Sequence, residues 1–322
     1  MTMRELAKLA NVSTSTVSKV FHDADDVSIE TKRMVFDIAK KHGCYHQFYK
    51  GKYSKPVIAI ICPELQSNYY AKHIEILQEI IIKNECIAVI SSDGFDSTRQ
   101  AELIEYYSGH LQVDGIIVFN LYEEVKKGCL ATPIVAMFIS KSVEVDSVVV
   151  DMKKAIIDAI NYLYKLGHKK IAFIGEKITR FKSNFFVSRA QELGIDNTVI
   201  IANKRFESAG EDGAKQILKL DDKPTAIICA YDDIALGAIK HLKSSGFRVP
   251  EDFSVIGMDN IRSCNYFETA LTSIDSHPDE ICMTAWELLE KKMKNKFYRM
   301  NQRITLTPRL VIRDTTAKPR KD

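Results

Sequence analysis

The chain has 322 residues, of which 46% are apolar and 27% charged, and a net charge of +3. This length allows more than one hydrophobic core, because domains typically run to about 100–200 residues. No apolar stretch reaches the roughly 20 residues that a membrane span requires, and the first 21 residues carry Arg4, Glu5, Lys8 and Lys19 on a helical pattern, which argues against a secretory leader and predicts a cytoplasmic chain with no membrane partner.

Charge is unevenly spread. Residues 1–56 hold ten Lys/Arg against six Asp/Glu, a net of +4, which leaves −1 for the remainder. A basic head on a near-neutral body suits a polyanion at one end, although an ordinary solvated basic surface has the same signature. The seven cysteines are odd in number and far apart, and several sit inside apolar runs such as Ile60-Ile61-Cys62 and Ile227-Ile228-Cys229. They read as reduced core thiols, with no disulfide and no metal.

Thr2-x-x-Glu5 is a capping box opening a helix with Leu6, Leu9 and Ala10 at helical spacing. Asn11-Val12-Ser13 breaks it, and Ser13 can cap a second helix, Thr14–Phe21, with Val17, Val20 and Phe21 inward. A third runs from the cap Ser28 to about Lys41, with Gly43 just past its end. Two short helices joined by a tight turn and braced by a third make a helix-turn-helix, whose second helix enters the major groove. That helix is nearly all hydroxyls and one cation, short side chains that let the backbone approach phosphates. A self-capping Ser/Thr-rich loop is the alternative.

After Pro56, short apolar runs alternate with longer amphipathic stretches. Strands are expected at Val57–Cys62, Cys86–Ser91, Val113–Phe119, Pro133–Ile139 and Ser147–Val150, with helices at 70–83 and 98–108. A second series has helices at 152–166, 181–193, 208–219 and 232–245, and strands at Lys170–Gly175, Thr198–Ala202, Thr225–Ala230 and Ser254–Gly257. Apolar strands separated by helices imply parallel sheets covered on both faces, hence two α/β lobes with a ligand cleft between them, off the carboxyl ends of the strands. The helix at 70–83 has one apolar face from Tyr70, Ile74, Leu77 and Ile81 for its own sheet. Ile76 and Ile80 fall on another side and predict a partner subunit, hence a homodimer.

No enzyme constellation emerges. The chain contains no Gly-rich phosphate loop, no G-x-S-x-G and no paired-His metal spacing. Asp232-Asp233 is the one tempting carboxylate pair, but adjacent acids at a helix start point differently and are favoured by the helix dipole. His168 beside Lys169-Lys170 reads as a solvated turn. The expectation is a non-enzyme without cofactor.

The stretch Met3-Arg4-Glu5-Leu6-Ala7-Lys8-Leu9-Ala10-Asn11-Val12-Ser13-x-x-Thr16-Val17-Ser18-Lys19-Val20 resembles the opening of the lactose/galactose repressor (LacI/GalR) family, and Val27-Ser28-x-Glu30-Thr31-Lys32-Arg33 is similar to that family's third-helix start. The likeness continues in Val113-Asp114-Gly115-Ile116-Ile117, Leu166–Gly175, Asp232-x-x-Ala235-x-Gly237-Ala238, Val249–Asn260 and Leu271-Thr272-Ser273-Ile274, reaching about residue 314. It implies an N-terminal all-α helix-turn-helix head on an α/β two-lobed periplasmic-binding-protein-like sensor. The implied divisions are 1–43 for the head, 44–56 for a hinge or linker, 57–316 for the sensor and 317–322 for a tail. Lobe 1 would take about 57–150 and 276–305, and lobe 2 about 151–275 and 306–316, with crossings near 150, 275 and 305.

The resemblance further implies a repressor that binds double-stranded operator DNA as a homodimer and responds to a carbohydrate-type effector. A solute-binding protein or a sugar-processing enzyme is the disfavoured alternative. Thr14, Ser15 and Lys19 would read bases with His22 nearby, and Ser13, Thr16, Ser18 and Thr31 would face phosphates. The cleft would be lined by Ser67, Tyr69, Lys182, Phe206, Tyr231 and Asp259. Asp259 suits two sugar hydroxyls or caps a loop, and Phe206 stacks on a pyranose or belongs to the core.

Several positions depart from the family pattern. Lys182 stands for Arg, Tyr231 for Asn, Asp151-Met152 for Asp-Asn and Ser276 for Gln. With Arg180 two positions away, spare cationic charge predicts more than a plain neutral hexose: a ligand with an anionic group, such as a phosphorylated saccharide, or with a second sugar unit. The alternative has Lys182 in solvent. The connector from Gly43 to Pro56 also lacks the family's Gly-Tyr-x-Pro-Asn and its wedge leucine. It serves as a flexible linker, bending DNA less than relatives do, or uses Phe48 or Tyr49 as the wedge.

Overall fold

The computed structural model of the chain describes residues 1–48, 55–123, 125–139, 144–266, 268–295 and 300–320. The head comprises α1 (Met3–Leu9), α2 (Thr14–Phe21), α3 (Ile29–Lys41) and a short α4 (Tyr45–Phe48). The expected caps form: the Thr2 amide donates to Glu5 Oε2 at 2.7 Å and the Glu5 amide to Thr2 Oγ1 at 3.2 Å, while Ser13 Oγ accepts from the Thr16 amide at 3.0 Å. Leu6, Ala10, Val17, Val20, Phe21, Val35 and Ala39 make one small core.

Phe48 joins that core, its ring 5.8 Å from Phe21, with Tyr45 packed 5.2 Å from Phe36. A side chain committed to the head cannot wedge into a minor groove, so the expectation for Phe48 is corrected. Tyr49 and the connector as far as Ser54 lie outside the described residues.

Two six-stranded sheets follow. The first has the order β11-β5-β4-β3-β1-β2, from β1 (Val57–Cys62), β2 (Ile87–Ser92), β3 (Gly115–Phe119), β4 (Ile134–Met137), β5 (Asp146–Val150) and β11 (Arg303–Leu306), every pairing parallel. The second has the order β12-β10-β9-β8-β6-β7, from β6 (Lys170–Glu176), β7 (Asp196–Ala202), β8 (Ala226–Cys229), β9 (Ser254–Met258), β10 (Thr272–Asp275) and β12 (Arg309–Val311). Only β10 with β12 is antiparallel there. Helices α5 (Asn68–Lys83), α6 (Ser97–Glu105) and α11 (Pro278–Lys294) accompany the first sheet, and α7 (Met152–Leu166), α8 (Arg180–Glu192), α9 (Phe206–Leu218) and α10 (Asp232–Ser244) the second. The chain passes between sheets after β5, after β10 and between β11 and β12.

Three expectations fail here. The expectation of a partner subunit over one side of α5 fails, because α11 packs along α5 and buries Ile76 and Ile80 with Ile281, Ala285, Leu288 and Leu289. Those isoleucines are covered by their own chain and give no argument for a dimer. His168 is buried rather than solvated: Nδ1 meets Thr225 Oγ1 at 2.8 Å and Nε2 meets the Ala317 carbonyl at 2.9 Å, tying down residues of the tail. Burial lowers the pKa of its imidazole, against the opposing effect of the Ala317 carbonyl. The third concerns Asp232, discussed below. All seven cysteines are free and buried.

In the second lobe, α9 and α10 cross with backbone almost touching. A Cβ on Gly237 would stand 1.9 Å from the Glu207 carbonyl oxygen, and one on Gly210 would stand 1.9 Å from that of Ile234. This contact fixes the starts of both helices, where Phe206 and Tyr231 lie. Gly237→Ala should therefore destabilise the lobe by about 2 kcal/mol in denaturant unfolding. Gly109→Ala, with nothing within 4 Å of the added carbon, should stay within about 0.5 kcal/mol.

Candidate functional sites

On α2, the buried side chains are Val17, Val20 and Phe21. At 100° per residue, Thr14, Ser15, Ser18, Lys19 and His22 occupy one arc of roughly 140° on the other side. Ser13, Thr14, Ser15, Lys19 and His22 are exposed, while Thr16, Ser18 and Thr31 are half-buried. Capping accounts for Thr16 and Thr31. Ser13 Oγ holds both the amide and the hydroxyl of Thr16, and Ser28 Oγ meets Thr31 Oγ1 at 2.9 Å and accepts from its amide at 3.2 Å. His22 Nδ1 lies 2.8 Å from the Ser18 carbonyl, and the Lys19 ammonium pairs with Asp26.

The second site is the cleft between the carboxyl ends of the two sheets, where α/β folds bind ligands. Lobe 1 contributes Glu64, Ser67 and Asn68 just after β1, with Tyr69 and Tyr70 on the first turn of α5. Tyr69 packs 5.1 Å from Phe138 and 4.5 Å from His73, and Tyr70 accepts a bond from Asn120 Nδ2 at 2.8 Å. Burial raises the Tyr69 phenol well above its usual range, and the charge of Asp259 on the other lobe adds to this. Ser67 is the residue before α5 and makes no side-chain cap bond.

Lobe 2 contributes Glu176 after β6, Lys182 on α8, Arg205 and Phe206 at the start of α9, Tyr231 after β8 and Asp259 after β9. Tyr231 donates from its hydroxyl to Glu176 Oε1 at 2.8 Å and accepts from the Phe206 amide at 3.0 Å. Asp259 and Phe206 hold left-handed backbone, φ 101° and 54°, as do Asn120 and Phe138 after β3 and β4. Strained non-glycine residues thus collect where the strands empty into the cleft.

The cationic charge expected to be spare is already engaged. Lys182 is buried and donates from Nζ to the Ala230 carbonyl at 2.7 Å, with Asp259, Asp232 and Glu176 close enough to oppose its loss of charge. It points inward, not to solvent, and Arg180 is exposed at the head of α8. Desolvation pushes Lys182 down and Asp259 up, and each charge resists the other's shift.

Two acids dismissed as dipole complements turn out to organise the cleft. Asp232 is fully buried and accepts from Ser273 Oγ at 2.6 Å, the Ile261 amide at 2.9 Å and Cys264 Sγ at 3.2 Å. Desolvation pushes its carboxyl up to about 7 against those donors. Asp233 reaches the other lobe, accepting from Asn68 Nδ2 at 2.9 Å. Arg205, Glu64 and Glu176 were not picked out in the sequence. Arg205 sends two parallel bonds to Glu64, at 2.7 and 2.8 Å, and a third to Glu176 at 3.2 Å. Ser276, at the crossing after β10, is buried with no partner for its hydroxyl.

A helix-turn-helix head joined to paired parallel sheets that face a polar cleft defines a ligand-sensing DNA-binding protein. Two family models match the chain: bacterial regulatory proteins of the lacI family over residues 2–46, and the periplasmic binding protein-like domain over 160–316. The matches place a lacI-family regulatory domain ahead of a periplasmic binding protein-like domain in one chain. It is 28% identical to catabolite control protein A of Priestia megaterium, covering 98% of this chain and 99% of that one. It is 29% identical to the HTH-type transcriptional repressor CytR of Escherichia coli, covering 98% and 96% respectively. Among solved structures, the Lac repressor dimer bound to operator and the anti-inducer ONPF superposes with a TM-score of 0.74 at 20% identity, covering 98% of this chain and 99% of that one. A LacI family regulator from Enterococcus faecium with bound ribose gives 0.71 at 21% identity, covering 82% and 100%. Among the described residues no helix is long and apolar enough to cross a membrane, and no group of three or more His, Cys, Asp or Glu could hold a metal.

Asp232→Ala would leave a buried hydroxyl and a buried amide without an acceptor, and should cost about 3 kcal/mol of stability in denaturant unfolding. Asp232→Asn, which keeps an acceptor in place, should cost less than half of that.

Proposed function

We propose that the chain is a cytoplasmic, sequence-specific transcriptional repressor without catalytic activity, acting as a homodimer on operator DNA. Its DNA affinity is set by a carbohydrate-type effector in the cleft. The division into head, connector, two lobes and tail given above is part of this reading. The observation that carries it is the polar arc of α2, set against a packed three-helix core on an otherwise apolar helix. Thr14, Ser15 and Lys19 read base edges with His22 beside them, and Ser13, Thr16, Ser18 and Thr31 hold phosphates. Lys19 has to leave Asp26 to do so, and that exchange ties base contact to the loop between α2 and α3. The dimer rests on kinship, since the relative bound to operator is described as a dimer.

Lys19→Ala should weaken binding to DNA upstream of the protein's own gene by about 5- to 150-fold at fixed salt, the equivalent of roughly 1–3 kcal/mol. Gel shift and footprinting decide it, and an unchanged footprint removes Lys19 from the interface.

For the effector, the engaged Lys182 and the acids Glu64, Glu176, Asp232, Asp233 and Asp259 favour a neutral, hydroxyl-rich ligand and replace the anionic expectation. Asp259 accepts from hydroxyls, Phe206 and Tyr231 give flat surfaces, and Ser67 and Tyr69 close the site from lobe 1. Neutral mono- and disaccharides should raise the melting temperature, because a ligand that binds only the folded form stabilises it by mass action. Asp259→Ala should abolish the shift. A response to phosphosaccharides alone would reinstate the anionic ligand.

A further inference from the structure

We infer that Glu64, Arg205 and Glu176 form a clasp that draws the two lobes together through protein groups alone, so that closure of the cleft is set by Arg205 apart from any effector. This goes beyond the function proposed above and does not depend on it.

The clasp spans the cleft. Glu64 follows β1 in the first lobe, whereas Arg205 precedes α9 and Glu176 ends β6, both in the second. The guanidinium meets both oxygens of Glu64 at 2.7 and 2.8 Å, the fork geometry that fixes orientation as well as distance. Its Nε points the other way, to Glu176. Its flat face is also used on both sides, 4.6 Å from the Phe206 ring in its own lobe and 5.4 Å from the Phe95 ring in the other.

Exposure decides whether such a bridge has any force. Side-chain exposures are 37% for Arg205, 16% for Glu64 and 3% for Glu176, so the contact is better shielded from water than the surface ion pairs that contribute little. The Glu64 carboxylate and the guanidinium come from opposite walls, and Asn68 with Asp233 makes a second polar contact across the same gap. Opening breaks only the Glu64 side. Glu176 keeps Arg205 Nε and the Tyr231 hydroxyl within its own lobe, so this buried acid retains its partners when the lobes part. That is the requirement for a reversible clasp: strong enough to bias closure, with a satisfied open form. It also means that one face of Phe206 is occupied by Arg205, so a ligand stacks on Phe206 from the other face or displaces the arginine.

The test uses the full chain, unfolded and refolded to strip any copurified small molecule, with spin labels on cysteines placed at exposed Glu102 in the first lobe and Lys215 in the second. The native cysteines are buried and stay unlabelled. Pulsed dipolar spectroscopy should give one narrow, short distance for the parent chain. Glu64→Ala should shift most of the population to a longer, broader distribution, and Arg205→Lys, which keeps the charge but loses the fork, should fall between. Because both partners serve one contact, Glu64→Ala combined with Arg205→Ala should open no further than Glu64→Ala alone. If the ligand-free parent already shows the long, broad distribution of Glu64→Ala, the clasp does not exist. If Glu64→Ala keeps the short distance, closure has another cause. Glu64 lies in the loop after β1 and its carboxylate meets Arg205 of the other lobe, so this variant decides the matter even if Arg205→Ala fails to fold.

Discussion

The carboxylate of Asp232 sits in the interior of the second lobe at the first turn of α10, and the cleft's second wall is arranged around it. A buried acid is costly unless donors surround it, and here they come from three separate pieces of chain: the Ser273 hydroxyl on β10, the Ile261 amide beyond β9 and the Cys264 thiol in the following turn. Two residues before Ile261 stands Asp259, whose left-handed backbone is held by its amide donating to the Ile274 carbonyl, and by the neighbouring Asn260 amide donating to Ser273 Oγ. Gly257 belongs to the same arrangement, because a Cβ there would come within 2.1 Å of an Asp232 oxygen. One buried acid thus locks the loop that carries Asp259, and the five hydrogen bonds named here hold its left-handed backbone in place.

Adjacent residues at a helix start diverge, and the pair Asp232-Asp233 uses that divergence. Asp232 turns into its own lobe and Asp233 turns across the cleft to Asn68. The same helix start therefore sets the shape of one wall and senses the position of the other. Arg205 does the equivalent at the start of α9, facing Glu176 behind it and Glu64 in front. Since Gly210 and Gly237 let α9 and α10 touch backbone to backbone, the two starts move as one body. Pulling Glu64 and Asn68 toward or away from this body is a single rigid displacement, not two local ones.

Much of this was legible in the chain. Caps at Thr2, Ser13 and Ser28, together with helical spacing of small apolar residues, define the head to within a residue or two, because local hydrogen bonds and a short-range pattern are enough. The strands read clearly because parallel strands buried on both faces are continuous apolar runs. α11 carried the same kind of signal, with Pro278 at its first position, Asp279 and Glu280 in its first turn and Ile281, Ala285, Leu288 and Leu289 inward. Overlooking it made Ile76 and Ile80 look uncovered. What spacing cannot reveal is which polar groups meet across a gap. Glu64 and Arg205 lie far apart in sequence in unremarkable loops, and His168 looks solvated beside two lysines until Thr225 and the Ala317 carbonyl close over it. Lys182 was read as a spare charge because a lysine's partner is a matter of tertiary position. Its partner is a backbone carbonyl, a group no residue pattern marks.

The separation of cores constrains how the cleft can speak to the head. Among the described residues the head has an apolar cluster of its own, and the two lobes have theirs, close-packed and not continuously deformable. A ligand can therefore act only by favouring one arrangement of rigid bodies over another, by as much as it binds one arrangement better. The freedom lies at the crossings after β5, after β10 and between β11 and β12. The second of these is marked by His277 in left-handed backbone, its amide donating to Asp275 Oδ1 at 2.9 Å. Hinges of this kind absorb the change in a few dihedral angles while sheets and helices stay intact. With Arg205 and Asp233 bridging the gap from one side and three crossings pivoting it from the other, the angle between lobes is governed by the competition between clasp and ligand for the same walls. The head is joined in sequence to the start of β1, and so to the lobe that carries Glu64.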